Sequence, residues 1–599
     1  MFDTPQLDAL DYPFRVDVIH KRKKSLKASL LKGGPFLDKR IAILGGSTTD
    51  EIKDVFELFL LREGIRPHFY QSGYNRYYED GMFPNEALER FNPDIIYIHT
   101  TQANITNVPV VADSRDNVEA KLASEITRFA SLWEKIRGTY NCTVIQNNFE
   151  LPHYRVLGNL DFSAFQGGTH FTTRLNLAFA EYAQTHRDFY INDINYLSAS
   201  FGLGKWHDST FWHAYKYALS YDAIPSLAHN LARIVAAVCG KSKKCLVVDL
   251  DNTVWGGVIG DDGADNIKIG KETPVGEAYS AFQQYATELK RRGIVLAVCS
   301  KNDPEIAAQG FAHPDSILSL KDFAAFKASW DQKYIGLRQI ASEINIGIDS
   351  LVFVDDNPAE RDLVRRQVPE VAVPEMGSDV ADFIAFIDRA GYFEPATLSA
   401  DDLQRTKFYE ANLERQSLQA DIADYGEFLA SLDMTAEIAP FSPKYLDRIT
   451  QLINKTNQFN VTTKRYSASD VETMTSDPRT LTFYGRLKDK FGDNGLISAI
   501  AGTVTDATLH IDVWVMSCRV IKRDMEFAMF DELVRECIAR GINRIAGYHY
   551  PTAKNAMVAD LFSRLGFTLK ARGEKGETEW TFDVGRSHEP TTRAIKVAR

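Results

Sequence analysis

The sequence predicts a multidomain α/β protein, and three observations carry that prediction. Two successive stretches alternate short apolar strands with helical segments, one from Arg40 to about Ser220 and one beginning at Cys245. After about Leu432 the pattern changes to antiparallel strands followed by an amphipathic helix, Met525 to Gly541. At 599 residues the chain is also too long for a single hydrophobic core.

In the first stretch, "RIAILGG" (Arg40 to Gly46), "PHFYQSG" (Pro67 to Gly73), "DIIYIHT" (Asp94 to Thr100), "CTVIQNN" (Cys142 to Asn148) and "DFYINDIN" (Asp188 to Asn195) read as parallel strands. Helical segments such as Thr49 to Gly64 lie between them, giving a doubly wound α/β domain over 1–230. The second stretch, 240–395, supplies "CLVVDLD", "IVLAVCS" and "SLVFVDD", all ending in polar residues, with "EVAVPEM" (Glu370 to Met376) as a further strand. Polar residues gather there because strand C-termini line the sites of open α/β sheets. A charge-rich helical connector is expected over 396–432 and an α+β domain over 433–586. The polar tail, 587–599, is expected to be disordered.

Composition narrows the function. A net charge of −11 and a pI near 5.7 exclude nucleic acid as the main partner. Of the two basic runs, His20 to Lys27 and Gly240 to Lys244, the first reads as a solvated helix face or linker. Six cysteines without a CxxC pair exclude a disulfide scaffold or structural zinc site and suit a reducing compartment. The N-terminus lacks the basic and apolar regions of a signal peptide, and no run of about 18 apolar residues predicts a membrane span. A cytoplasmic protein is expected.

The chemistry centres on "CLVVDLDNTVWGGVIGDDG", Cys245 to Gly263. Residues two apart on a strand share a face, so Asp249 and Asp251 project into one pocket. Paired carboxylates in oxygen-only surroundings suit Mg²⁺. With a phosphate neutralised there, the first carboxylate is a nucleophile toward phosphorus and the second a general acid and base. This stretch, Ser300 ending "VLAVCS", Lys333 in "SWDQKYIGL" and Asp355–Asp356 in "VFVDDNPAER" resemble, in order, the four motifs of the haloacid dehalogenase superfamily. The resemblance implies a Rossmannoid domain with Thr253, Ser300, Lys301 and Lys333 at the phosphate. It places Asp249, Asp355, Asp356 and the Asp251 carbonyl at the metal.

"DLDNTVWGGVIGDDG", "AVCSKND", "VFVDDNPAERDLVR" and "VPEVAVPE" further resemble the FkbH-like branch, subfamily IIIC. That resemblance implies dephosphorylation of 1,3-bisphosphoglycerate, a phosphorylated small molecule, with glyceryl transfer to the phosphopantetheine thiol of an acyl carrier protein. Cys299, beside Ser300, is a candidate acceptor thiol, although alternation points the two to opposite faces. A phosphatase without acyl transfer and a non-catalytic scaffold use the same residues and remain open.

The flanking domains carry weaker patterns. Ser47 in "AILGGSTTDE", Gly73 in "QSGYN", Asn104 in "IHTTQAN" and His207 in "GKWHDSTFWH" resemble the blocks of SGNH hydrolases. Gly45-Gly46 replaces that family's Gly-Asp before Ser47, and the closing Asp-x-x-His is missing, so a non-hydrolytic scaffold is the favoured expectation. "LHIDVWVMS", "CRVIKRD" and the helix after them resemble the acyl-CoA-binding turn of GNAT acetyltransferases without its glycines. Arg519, Lys522 and Arg523 are the candidate carrier or CoA contacts there.

Overall fold

The computed structural model describes residues 7–598 apart from 404–407, 409–410, 413, 416–417, 420–421, 423, 553 and 586. The first residues of the chain and parts of the expected connector therefore lie outside the described residues. The chain divides into two compact units, Met1–Val238 with Ser467–Ser469, and Cys239–Tyr466 with Asp470–Arg599. No described helix is long and apolar enough to cross a membrane.

In the first unit, β1 (Leu37–Gly45), β2 (Ile65–Gln71), β3 (Ile95–His99), β4 (Thr143–Asn147) and β5 (Phe189–Asn192) form a parallel sheet in the order β2-β1-β3-β4-β5. The strands fall where the apolar runs place them. β3 and β4 are buried along their whole length, as central parallel strands covered on both faces must be. Helix α1 (Asp50–Arg62) buries Ile52, Val55, Phe56 and Phe59, a spacing that gives one apolar face. Ser114 caps α2 (Arg115–Thr139) by accepting from the Asn117 N–H. Trp133 of α2 meets Phe179 of α3 (Gly168–Thr185) edge to face at 4.6 Å.

The second unit holds two sheets. The first is fully parallel, order β8-β7-β6-β9, from β6 (Cys245–Val248), β7 (Val295–Ser300), β8 (Ala325–Ala328) and β9 (Leu351–Val354). "EVAVPEM" does not extend it, since only Ala372 bridges to Val352. Two of its helices start with a defined signal. Thr273 and Pro274 open α4 (Pro274–Arg291), and Asn357 and Pro358 open α5 (Pro358–Gln367), so α5 begins directly after Asp355 and Asp356.

The second sheet contains β10 (Met434–Ala439), β11 (Phe459–Asn460), β12 (Thr480–Asp489), β13 (Gly492–Thr505), β14 (Thr508–Met516), β15 (Arg544–His549), β16 (Thr568–Arg572), β17 (Thr578–Asp583) and β18 (Ile595–Ala598). Its main path is β16-β17-β15-β14-β13-β12-β10-β18. Asp506 and Ala507, with φ of 48° and 59°, make the left-handed two-residue turn that joins β13 to β14. The helix α6 (Met525–Ala539) buries Met525, Met529, Phe530 and Leu533 on one face of this sheet.

The tail overturns its expectation of disorder. Its described residues are structured, and β18 pairs in parallel with β10. Asp531 of α6 anchors the segment, accepting from the Thr591 and Thr592 N–H groups, from both hydroxyls and from His588 Nε2.

Candidate active site

The C-terminal ends of β6, β7 and β9 bring the motif residues together. Asp249 follows β6, and the chain then turns through Asn252, whose φ of 54° an asparagine tolerates. Carboxylate oxygens of Asp249, Asp355 and Asp356 lie within 4.8 Å of one another. Asp355 is fully buried, and its Oδ1 accepts from the Asn357 N–H at 2.9 Å. Arg361 clamps the loop by donating to the carbonyls of Asp355 and Asp356, both at 2.8 Å.

Lys333, the first residue of α7 (Lys333–Glu343, which precedes β9 in the chain), closes the cluster. Its Nζ lies 2.5 Å from Asp355 Oδ2 and 3.0 Å from Asp249 Oδ1. The Asp249 contact lacks hydrogen-bond geometry and leaves a buried carboxylate oxygen without a donor. Burial lowers the Lys333 ammonium, but the two aspartates outweigh it and hold it above its ordinary value. Burial and the Asp249 charge raise Asp355, against Lys333, and the same two causes raise Asp356. Three carboxylates facing one ammonium form an oxygen-only, net-negative cradle, which fits a hard divalent cation.

Asp251 is oriented differently. Its Oδ1 accepts from Trp255 Nε1 at 2.9 Å and from the Ile259 N–H at 3.1 Å, and its Oδ2 accepts from Asn302 Nδ2 at 3.0 Å. Its carboxylate is therefore outside the three-aspartate cluster. Trp255, Asn302 and Arg361 are the positioning residues that motif reading passes over. Trp255 lay in the quoted stretch, four residues from Asp251 on the same turn.

Several expectations change here. Ser300 ends β7, buried at the same sheet end. Lys301, expected at the phosphate, instead pairs with Glu360 at 2.6 Å. Thr253 binds Asp356, its hydroxyl donating to Oδ1 at 3.3 Å and accepting from the Asp356 N–H at 3.1 Å, so it holds a ligand carboxylate in place. Cys299 is corrected outright. It is 3% exposed in the apolar layer beneath α7, its thiol donates to the Lys333 carbonyl, and burial pushes that thiol up to about 12. So placed, the thiol is packed against α7 and not presented to solvent.

In the first unit Ser47 sits after β1, 2% exposed, with Asn104 beside it. Asn104 donates to the Gly46 carbonyl at 3.0 Å and to Asn75 Oδ1 at 3.1 Å, and a Cβ on Gly46 would lie 2.4 Å from that amide. His207 is not its partner, being stacked on His153 at 4.1 Å and bonded to the Ala218 carbonyl. Gly73 accepts from the Arg76 N–H beyond β2. The histidine that does reach Ser47 is His99, its Nε2 3.0 Å from Ser47 Oγ. The alternation of β3 places His99 and Tyr97 on one face, a signal present in the sequence.

His99 is in the wrong tautomer for a base. Asn147 Nδ2 donates to the Thr100 carbonyl at 3.1 Å, which fixes that amide, and the same group lies 3.0 Å from His99 Nδ1. Nδ1 therefore accepts, Nε2 carries the proton, and Ser47 is the acceptor. Burial also lowers His99 to about 4, so the ring is neutral. A fluorophosphonate probe is expected to leave Ser47 unmodified. Labelling at Ser47 found by peptide mapping would show an activated hydroxyl and refute this.

The candidate carrier contacts separate as well. Arg523 is buried and paired with Asp489 at 3.2 Å, and it donates to Asn412 at 2.8 Å, so it serves the fold. The Lys522 carbonyl accepts from the Tyr425 hydroxyl. Arg519 lies 4.2 Å over the Phe408 ring. β14 and β15 pair only at Thr508–His510 and Arg544–Ala546. Beyond that the gap is bridged by the β11 segment, the Val461 N–H donating to the Trp514 carbonyl and the Tyr550 N–H to that of Val461. The backbone there is already satisfied.

Comparisons with known proteins agree with this layout. The model of the FkbH N-terminal domain matches residues 40–236. The N-terminal part of the protein BF1531 from Bacteroides fragilis, containing a phosphatase domain and complexed with Mg, superposes with a TM-score of 0.58 at 32% identity, over 63% of this chain and 99% of that one. The Escherichia coli ribosomal-protein-S18-alanine N-acetyltransferase superposes at 14% identity and a TM-score of 0.21, over 26% of this chain and 100% of that one. No curated protein matches the chain.

Proposed function

The chain belongs to the FkbH-like family, and from that premise we propose that it is a Mg²⁺-dependent enzyme of the haloacid dehalogenase type. It removes phosphate from an acyl phosphate such as 1,3-bisphosphoglycerate and passes the glyceryl group to an acyl carrier protein. The observation that carries the reading is the cluster of Asp249, Asp355 and Asp356 around Lys333 at one sheet end.

Asp249, Asp355 and Asp356 would hold the cation, with the Asp251 carbonyl. A bound Mg²⁺ would neutralise phosphate oxygens. Lys333 and Ser300 orient the phosphoryl group, and the burial of both strengthens each contact. Two outcomes then break different bonds. If Asp249 attacks phosphorus, the O–P bond breaks, a free carboxylate leaves, and Asp251 deprotonates the water that clears the aspartyl-phosphate. If a thiolate attacks the acyl carbon, the C–O bond breaks and phosphate leaves, with Asp251 taking the thiol proton. A carboxylate released by the first route is no longer activated, so transfer requires the second. With Cys299 buried in the packed layer beneath α7, the thiol of that route is taken to be the carrier's own.

The test incubates the full chain with Mg²⁺, 1,3-bisphosphoglycerate and a phosphopantetheinylated carrier, read by intact-protein mass spectrometry. A glyceryl thioester is expected on the carrier, and equally with a Cys299→Ala variant. Phosphate release with an unmodified carrier would overturn the transfer and leave the phosphatase.

A further inference from the structure

The loops that follow the neighbouring strands β3 and β4 in the first unit turn large apolar side chains outward. In the loop before α2, Val108, Val110 and Val111 are each about half exposed. In the loop before α3, Tyr154, Val156, Leu160 and Phe162 are between 63% and 81% exposed. The two loops are joined, because Gln166 Nε2 donates to the Asp113 carbonyl at 3.4 Å and the Arg115 guanidinium lies 5.1 Å over the Phe165 ring. The seven side chains therefore share one end of the sheet.

Hydrogen bonds pin both loops in this form. Glu125 Oε1 accepts from the Thr106 and Asn107 N–H groups at 3.1 and 2.9 Å, Lys121 Nζ donates to the Val108 carbonyl at 3.1 Å, and the Val110 N–H donates to Asp113 Oδ2 at 2.8 Å. Asp161 Oδ2 accepts from the Thr169 N–H at 2.6 Å, and the Asn176 amide bonds both the N–H and the carbonyl of Phe149. A surface held this way loses little entropy when a partner covers it. It is also nearly uncharged. Within 105–113 and 154–166 the charged residues are Asp113, Arg155 and Asp161. Asp113 is paired with Lys121 at 2.7 Å and Asp161 is buried, which leaves Arg155, donating to Asn159 Oδ1 at 3.3 Å, as the one charge on the face.

We propose that this face is the interface through which two copies of the chain associate as a homodimer. The exposed fractions of the seven side chains amount to on the order of 800 Å², above the roughly 300–600 Å² of the largest apolar patch on a typical monomer and close to the ~800 Å² per partner of a standard interface. Charge selects the second copy over other occupants. A nucleic acid, an anionic membrane or an acidic protein would call for several cations, and the face offers one arginine. Two copies that each carry −11 repel one another, and a nearly uncharged face is where they approach at least electrostatic cost. An apolar surface of near-zero charge complements itself about a two-fold axis. The proposal does not depend on acyl-phosphate chemistry at the aspartates.

Analytical ultracentrifugation of the full chain between about 1 and 100 µM tests it. A mass twice the 67.5 kDa of one chain is expected, with no weakening as salt rises, because apolar contact is not screened. A Val110→Asp, Phe162→Asp double variant buries like charges in the interface and should raise the dissociation constant by about a hundredfold or more. Leu398→Asp, at a leucine 58% exposed outside the two loops, should leave it unchanged. Circular dichroism checks the fold, and the single Tyr154→Asp variant, with an expected rise of about tenfold, is read the same way if the double variant unfolds. A single-chain mass at about 100 µM overturns the proposal. So does a dimer that the double variant and Tyr154→Asp both leave intact.

Discussion

Asp249→Asn is expected to lower phosphate release from an acyl phosphate, measured without a carrier, by on the order of 10³-fold or more, the scale set by loss of a nucleophile that acts as one unit with its partners. The substitution removes the charge at the centre of the cluster and the attacking oxygen, yet keeps the side chain's size. Neighbouring geometry should hold, because Asp355 is fixed independently by Lys333 and by the Asn357 N–H. Mg²⁺ affinity should fall as well, since one of three clustered carboxylates is lost. Steady-state phosphate release and a Mg²⁺ titration read the two effects separately. Residual turnover within tenfold of the parent would mean that phosphorus is not attacked from Asp249. If acyl transfer proceeded at the parent rate while hydrolysis vanished, the C–O route would be the one in use.

The parts of this site that the sequence displays are those that follow from strand ends. Asp249, Ser300, Asp355 and Asp356 each terminate an apolar run, and Lys333 opens a helix, so local pattern alone places them at one end of the sheet. Cys299 and Ser300 show the limit of that reading. Adjacency in sequence suggested a thiol beside the phosphate, and alternation along β7 sent it into the core instead. The role of Lys301 was lost for another reason, since its partner Glu360 lies on α5, far along the chain. β18 was invisible because four residues at the end of a polar tail are too few to carry a strand pattern. It exists through pairing with β10 and the capture of Thr591 and Thr592 by Asp531. His99 likewise replaced His207 beside Ser47 through a contact between strands, which no closing motif announces.

Lys333→Met should produce the largest stability change of any single substitution at the site, and its size should depend on Mg²⁺ and pH. The variant keeps the aliphatic volume but leaves Asp249 and the fully buried Asp355 facing each other without a cation. Uncompensated buried charge of this kind costs about 3–5 kcal/mol. Mg²⁺ at about a hundredfold over its Kd returns roughly 2.7 kcal/mol by mass action, so thermal unfolding of the variant should be far more Mg²⁺-dependent than that of the parent. The pH dependence follows from Asp355, which burial and Asp249 raise above its unfolded value even with Lys333 present. A raised carboxyl contributes stability below its unfolded pKa and loses it as pH rises through the folded one. Without the ammonium that loss deepens, so the metal-free variant should unfold much more readily at pH 8 than at pH 5. Activity should drop by roughly 10²–10³-fold even where Mg²⁺ restores the fold, because a preorganised charge at the phosphate is gone. Equal melting temperatures for parent and variant at pH 8 without Mg²⁺ would show that Lys333 does not compensate the aspartates.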